Sequence, residues 1–470
     1  MDAELKKRFI YGAIAVIVAL VIALIPPFEG LTQQGMIVLG ILIGAILLIA
    51  LHVFPEFVAF GLMALLWVVV ADVPFESSFG GFVNPIFWLI LSALGLGVAL
   101  EQTGFTKRVA FWMLNRLPQT YFGQMLSIYI TGFLILGPIV PSSTARQAVV
   151  TLPAVGLYQS FGFEERSKGS AGLVLSSFVS SGVIAPVAFM TSCGAHLAIF
   201  GTLPGEIQAQ VPWIMWFVYA LPITIILAVT LLPILMKLYS PGPVKVDKEY
   251  VKNELEKLGP MSLREKFASI IALITLLLWI STIWTDFNSN HIAIGALMAL
   301  LVTGALTTSD FSTKIQWPLL IFIGFIFGVP ASLEAGGVTD WIGGLLTPIM
   351  EPLLGTPLLF LVVLFFVALA LRIISPSFSV PGIILVASLS PVMEPAGISP
   401  FLIILVYALA NSHWILPHLN PTRYMVAYSV SDGRAFSHAQ ARPLTFIYLG
   451  IALITLVLST PYWQWVGLIQ

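Results

Sequence analysis

Charge and cysteine are both scarce in this chain. Of its 470 residues only 9% are Asp, Glu, Lys or Arg, against about 25% in soluble domains, so a soluble globular fold is excluded. A formal net charge of -1 gives no basic excess for nucleic acid, and no nucleic-acid partner is expected. The single cysteine, Cys193, rules out an intrachain disulfide. Enzyme motifs are missing too: there is no HExxH, P-loop or GxGxxG, and Ser142 has no candidate base nearby in sequence. His196, His413 and His418 lack metal-ligand spacing. The chain reads as no enzyme, without a cofactor and without a metal other than a coupling Na⁺.

What abounds is apolar. Hydrophobic residues make up 58% of the chain, and its 38 glycines and 31 prolines suit membrane helices, which tolerate both. An all-α, multi-pass integral membrane protein in the lipid bilayer follows. Spanning takes roughly 20 apolar residues, and full-length candidates run over 9–27, 34–53, 56–75, 84–104, 169–200, 211–239, 266–285, 291–308, 317–333, 400–428 and 443–462. The start Met1–Arg8 shows no cleavable signal pattern, so the first helix is read as retained. Two more apolar regions, 121–160 and 356–396, are interrupted by polar, proline-bearing tips. Their arms, about 125–140 and 147–160 in the first, look too short to cross, which predicts two re-entrant hairpins beside eleven transmembrane helices.

Lys and Arg set the orientation. Lys6, Lys7 and Arg8, then Lys107, Arg108 and Arg116, Arg166 and Lys168, seven basic residues from Lys237 to Lys266, and Lys314, Arg434 and Arg442 all fall on one side of this scheme. The opposite loops carry Glu29, Asp72, Glu76, Glu206, Asp286, Glu334, Asp340, Glu351 and Glu394, with no Lys or Arg. The expectation is a plasma (inner) membrane protein with a cytoplasmic N-terminus and an external C-terminus.

The halves repeat. Pro85 and Glu101 recur as Pro318 and Glu334 at one offset of 233 residues, and the same offset sets Ser142-Ser143-Thr144 on Ser375-Pro376-Ser377. The number of spans between copies is odd, so they are inverted: 1–33 is a leading helix, 34–240 the first repeat, 241–264 a cytoplasmic or interfacial connector and 265–470 the second repeat. Inverted repeats with broken helices mark secondary transporters, whose site lies at the repeat interface.

Broken tips supply the chemistry. N–H ends of half-helices attract anions, and carbonyl ends coordinate cations such as Na⁺. Ser142, Ser143, Thr144, Ser375, Ser377 and Ser379 add hydroxyls, and two facing tips suit a substrate with two acidic ends. Arg146 and Arg372, basic residues inside the hairpins, either hold such a dianion, snorkel, or pair with helix-end carbonyls. Two further breaks, at 191–196 and 417–422, offer Thr191, Gly194, Asn420 and Thr422. With Ser142 and Ser377 these complete two cation sites; an ordinary proline kink is the alternative.

The stretch Leu100–Arg108 (LEQTGFTKR), the run Pro141–Arg146 (PSSTAR) and Pro153 make the chain resemble the divalent-anion/sodium symporter family, and within it the 2-oxoglutarate/malate translocator branch. The resemblance implies tips that contact substrate carboxylates and sodium, a homodimer, and an elevator motion of a transport domain against a scaffold. The family's tips usually read Ser-Asn-Thr, whereas this chain has Ser-Ser-Thr and Ser-Pro-Ser. The expected function is Na⁺-coupled symport of C4-dicarboxylates or 2-oxoglutarate. Obligatory exchange without Na⁺, and transport of sulfate or another divalent anion, are the alternatives.

Overall fold

The structure is a computed structural model that describes residues 3–242, 248–374, 377–416 and 421–470. Among these the chain is helical almost throughout. Eight helices are long and apolar enough to cross a membrane, and five shorter apolar helices accompany them. Helices start where a side chain can satisfy their orphan N–H groups. Asn84 accepts from the Ile86 N–H with Pro85 at the first helical position, and Thr120, Ser167 and Ser262 cap Tyr121–Ile130, Lys168–Phe178 and Leu263–Ser281.

Several expected spans turn out shorter or divided. The helix expected over 56–75 is Glu56–Val69, ended before Asp72, whose φ of 53° no helix continues through. The 317–333 span divides into Trp317–Ile326 and Val329–Ala335, because Pro330 has no N–H to carry the ladder on. The 169–200 and 400–428 spans break at 189–193 and between Asn411 and Thr422. The arms of the first interrupted region, by contrast, are longer than expected. The first runs Tyr121–Ile139, 19 residues through a π turn, and the second is Ser143–Ser160, 18 residues. Arm length therefore does not separate a crossing from a re-entrant hairpin here. The segment read as a connector forms a helix, Lys248–Lys257, packed on Phe105–Arg116 and Ser143–Ser160.

Matching elements recur along the chain. Helices begin at Glu56 and Ser289, at Phe105 and Val338, and at Lys168 and Phe401, each pair 233 residues apart. Gly104 and Gly337, at the same offset, both take the left-handed conformation, with φ of 85° and 70°, which a side chain would resist. Packing exchanges between the halves: Glu56–Val69 lies on Trp317–Ile326, and Ser289–Val302 lies on Pro85–Gln102.

Burial orders the helices. From Gly169 to Ala188 every residue is buried, whereas only 6% of the Lys6–Leu24 window is buried. That first helix closes on Gln33–Ala50 through small residues; a Cβ on Gly40 would come 2.6 Å from the Ala19 carbonyl oxygen, the close approach typical of membrane helix pairs. Ion pairs gather in the basic loops. Arg108 donates to both Glu265 oxygens, at 2.5 and 3.1 Å, and Arg264 to Asp310 at 2.9 Å. The Glu265 hydrogen bond pushes the Arg108 pKa above its ordinary value.

Candidate functional site

The two tips meet at one cavity of about 430 Å³. Pro141, Ser142, Ser143 and Thr144 line it from the first interrupted region, and Ser377, Phe378 and Ser379 from the second. Cys193, Gly194 and Ala195 come from the first broken span, and Pro421, Thr422 and Arg423 from the second. Arg372, Arg423 and Glu56 are its charged lining residues. A larger cavity of about 960 Å³ lies elsewhere, with Asp286 and Glu334 but no Lys or Arg on its walls. Its charge is wrong for an anion, so the smaller cavity is the candidate site.

Local folding puts each group in place. Ser142 caps Ser143–Ser160, accepting from the Ala145 N–H, and its Oγ lies 3.1 Å from Thr144 Oγ1. The half-helix thus points its N-terminal donors and two hydroxyls at the cavity. On the facing side Tyr407 donates to the Phe378 carbonyl at 2.6 Å, fixing the second tip. Two arginines approach the Phe378 ring, with the Arg372 and Arg423 guanidinium carbons 5.7 and 5.1 Å from its centroid. Arg423 also donates to Ser412 Oγ at 2.9 Å.

Arg146 is not on the cavity wall. Fully buried, it donates to the carbonyls of Val140, Ser181 (2.8 Å) and Ser192 (3.1 Å). The Ser181 carbonyl is in the π turn Val179–Ile184, and such turns release carbonyls from the helix ladder. Arg146 therefore ties the first tip to the first broken span from behind. Thr191 also faces away, donating to the Pro138 carbonyl at 2.9 Å and accepting from Trp213 Nε1 at 3.0 Å. Gly194 and Thr422 line the cavity, whereas Ser375 and Asn420 lie outside the described residues.

Sequence reasoning overlooked Arg423, Phe378 and Glu56. A signal existed for Arg423. It directly follows the 417–422 break inside an otherwise apolar stretch, where a charge is costly unless it faces a partner or water. Nothing local marks Glu56, which reads as an ordinary first-turn acid.

The description "Sodium:sulfate symporter transmembrane region" matches residues 6–469. The chain belongs to this family of divalent-anion/sodium symporters. It is accordingly a multi-pass membrane transporter of divalent anions, and not an enzyme. Among its relatives are an uncharacterized transporter of Haemophilus influenzae, 28% identical over 81% of each chain, and the inner membrane protein YbhI of Escherichia coli, 28% identical over 72% of this chain and 73% of that one. The L-tartrate/succinate antiporter of Escherichia coli is 26% identical over 57% of this chain and 56% of its own length. In fold the chain is similar to the YdaH transporter of Alcanivorax borkumensis, with a TM-score of 0.59 at 15% identity over 88% of this chain and 98% of that one.

Proposed function

We propose that this family member is a secondary carrier that exchanges C4-dicarboxylate or related divalent organic anions. The observation that carries the reading is the single cavity on which both serine-bearing tips converge with Arg372 and Arg423. Helix ends supply only about half a charge each, and the two arginines supply the rest. Leu94, Leu319 and Phe378 add apolar wall between the tips, which suits the carbon chain of a dicarboxylate better than the compact sulfate ion. The tartrate/succinate antiporter among the relatives fits the same substrate class.

Fixed arginines favour exchange over sodium symport. Arg146 already occupies three carbonyls beside the first tip, and the Thr191 hydroxyl is engaged with Pro138 and Trp213. The Thr191 oxygen that a first sodium would use is therefore engaged, and so are the nearby carbonyls of Val140, Ser181 and Ser192. The reading keeps inverted repeats over 34–240 and 265–470, eleven crossings with re-entrant tips, a cytoplasmic N-terminus and external C-terminus, and a homodimer. In it the tips and broken spans move together, elevator-fashion, against the remaining helices.

Counterflow in proteoliposomes tests the assignment. Labelled succinate uptake should be saturable, stimulated by internal dicarboxylate and unchanged when choline replaces Na⁺. Uptake that requires Na⁺ and ignores internal substrate would establish symport instead, and a preference for sulfate would move the substrate class.

A further inference from the structure

The cavity contains a carboxylate of its own. Glu56 begins the helix Glu56–Val69, and Ser377 Oγ donates to its Oε1 at 2.5 Å. A hydroxyl on a hairpin tip is what a substrate carboxylate would also seek there. The two partners lie on helices that share few direct contacts. Glu56–Val69 packs on Gln33–Ala50 and Trp317–Ile326, whereas Pro357–Ile374 packs on Phe401–Asn411 and Val380–Met393 chiefly on Val338–Leu354, which itself touches Gln33–Ala50; among the described residues neither arm packs along Glu56–Val69. The hydrogen bond therefore fastens the second tip to a helix it otherwise hardly meets.

Charge gives this contact a direction. Arg372, Arg423 and Glu56 together leave one positive charge on the cavity wall. A substrate carboxylate seated at Ser377 would lie against the Glu56 carboxylate, and like charges repel strongly in a low-dielectric setting. With Glu56 withdrawn that repulsion is gone, and Arg372 and Arg423 face the substrate alone.

We infer that Glu56 is a tethered competitor for the substrate: its carboxylate takes one carboxylate position at the second tip while the carrier is empty, and an arriving dianion displaces it. The empty carrier is then latched to Glu56–Val69 and cannot move its tips, whereas the loaded carrier can. Exchange becomes obligatory because only substrate opens the latch. Glu56 acts on the reaction as a positioning and coupling residue, and the inference rests on the dicarboxylate-carrier reading above.

The test compares two fluxes in the same proteoliposomes, loaded with labelled succinate. Wild type should release label rapidly into external succinate and slowly into substrate-free buffer. Glu56→Gln keeps the side-chain shape without the charge, and Glu56→Ala removes both. Each should raise release into substrate-free buffer, relative to exchange in the same vesicles, on the order of tenfold, the lower end for a hydrogen bond to a charged group. Both should also lower the half-saturating succinate concentration. An unchanged ratio in both variants, with exchange still running, overturns the latch and leaves the carrier assignment standing. Wild-type vesicles without any trans-stimulated dicarboxylate flux overturn the carrier assignment, and the latch with it.

Discussion

The Arg423 guanidinium carbon lies 5.1 Å from the centroid of the Phe378 ring, so an arginine just after the second helix break is held over an aromatic at the second tip. Cation–π contact strengthens when water is excluded, and Arg423 is only 4% exposed. The planar guanidinium can stack on the ring and still direct donors into the cavity, which an ammonium cannot do.

Arg423 is accordingly expected to be intolerant even of lysine. Arg423→Gln should lower kcat/KM for succinate exchange on the order of a hundredfold or more, as when one partner of a buried charge pair is removed. Arg423→Lys should recover only part of that loss. Exchange kinetics in proteoliposomes check this, and wild-type kinetics in Arg423→Gln would remove Arg423 from the site.

Arg146 is expected to behave differently, because its partners are backbone carbonyls rather than cavity. Arg146→Gln strands several buried acceptors, each costing about 1–3 kcal/mol. The apparent melting temperature of the detergent-solubilised protein should fall clearly, and transport should fall with it. A variant of wild-type stability that no longer binds succinate would instead place Arg146 against the substrate.

Hydroxyls on the two tips should matter for transport without mattering for folding. Thr144→Ala and Ser379→Ala each delete one oxygen at the cavity wall and open no large hole. Each should raise KM several-fold while the size-exclusion profile stays that of wild type. Normal kinetics in both would make the hydroxyls mere packing groups.

Topology can be read from the helix Lys248–Lys257, where Asn253 is exposed. If the basic loops face the cytoplasm, Asn253→Cys should resist a membrane-impermeant thiol reagent in intact cells and react after permeabilisation. Labelling from outside would reverse the proposed orientation.

The ion pair of Arg108 with Glu265 should help hold the basic loops in place. Glu265 is nearly buried, with its side chain 4% exposed against 19% for Arg108. Removing the carboxylate leaves Arg108 short of a bidentate partner. Glu265→Gln should therefore destabilise the protein by about 1–3 kcal/mol, read as a lower melting temperature with transport per folded molecule preserved.

Much of the architecture was legible in one dimension, because a membrane writes its constraints locally. Apolar length marks helices, Pro and polar clusters mark their breaks, and an offset of 233 residues pairs Gly104 with Gly337 before any contact is known. The polar tips were read from sequence at Ser142–Thr144 and Ser375–Ser377 for the same reason, the second with Ser375 and Pro376 outside the described residues. Lengths of individual helices were not, since caps such as Thr120 and the π turn at Thr131–Ile135 extend an arm that hydropathy alone cuts short. The tertiary structure decided which charges meet. Arg146 and Arg423 are both arginines beside a break, yet one turns back onto carbonyls and the other lines the cavity. Glu56 reaches Ser377 across 321 residues of chain. Such pairings depend on how distant helices pack, and the identity of a side chain does not contain that information.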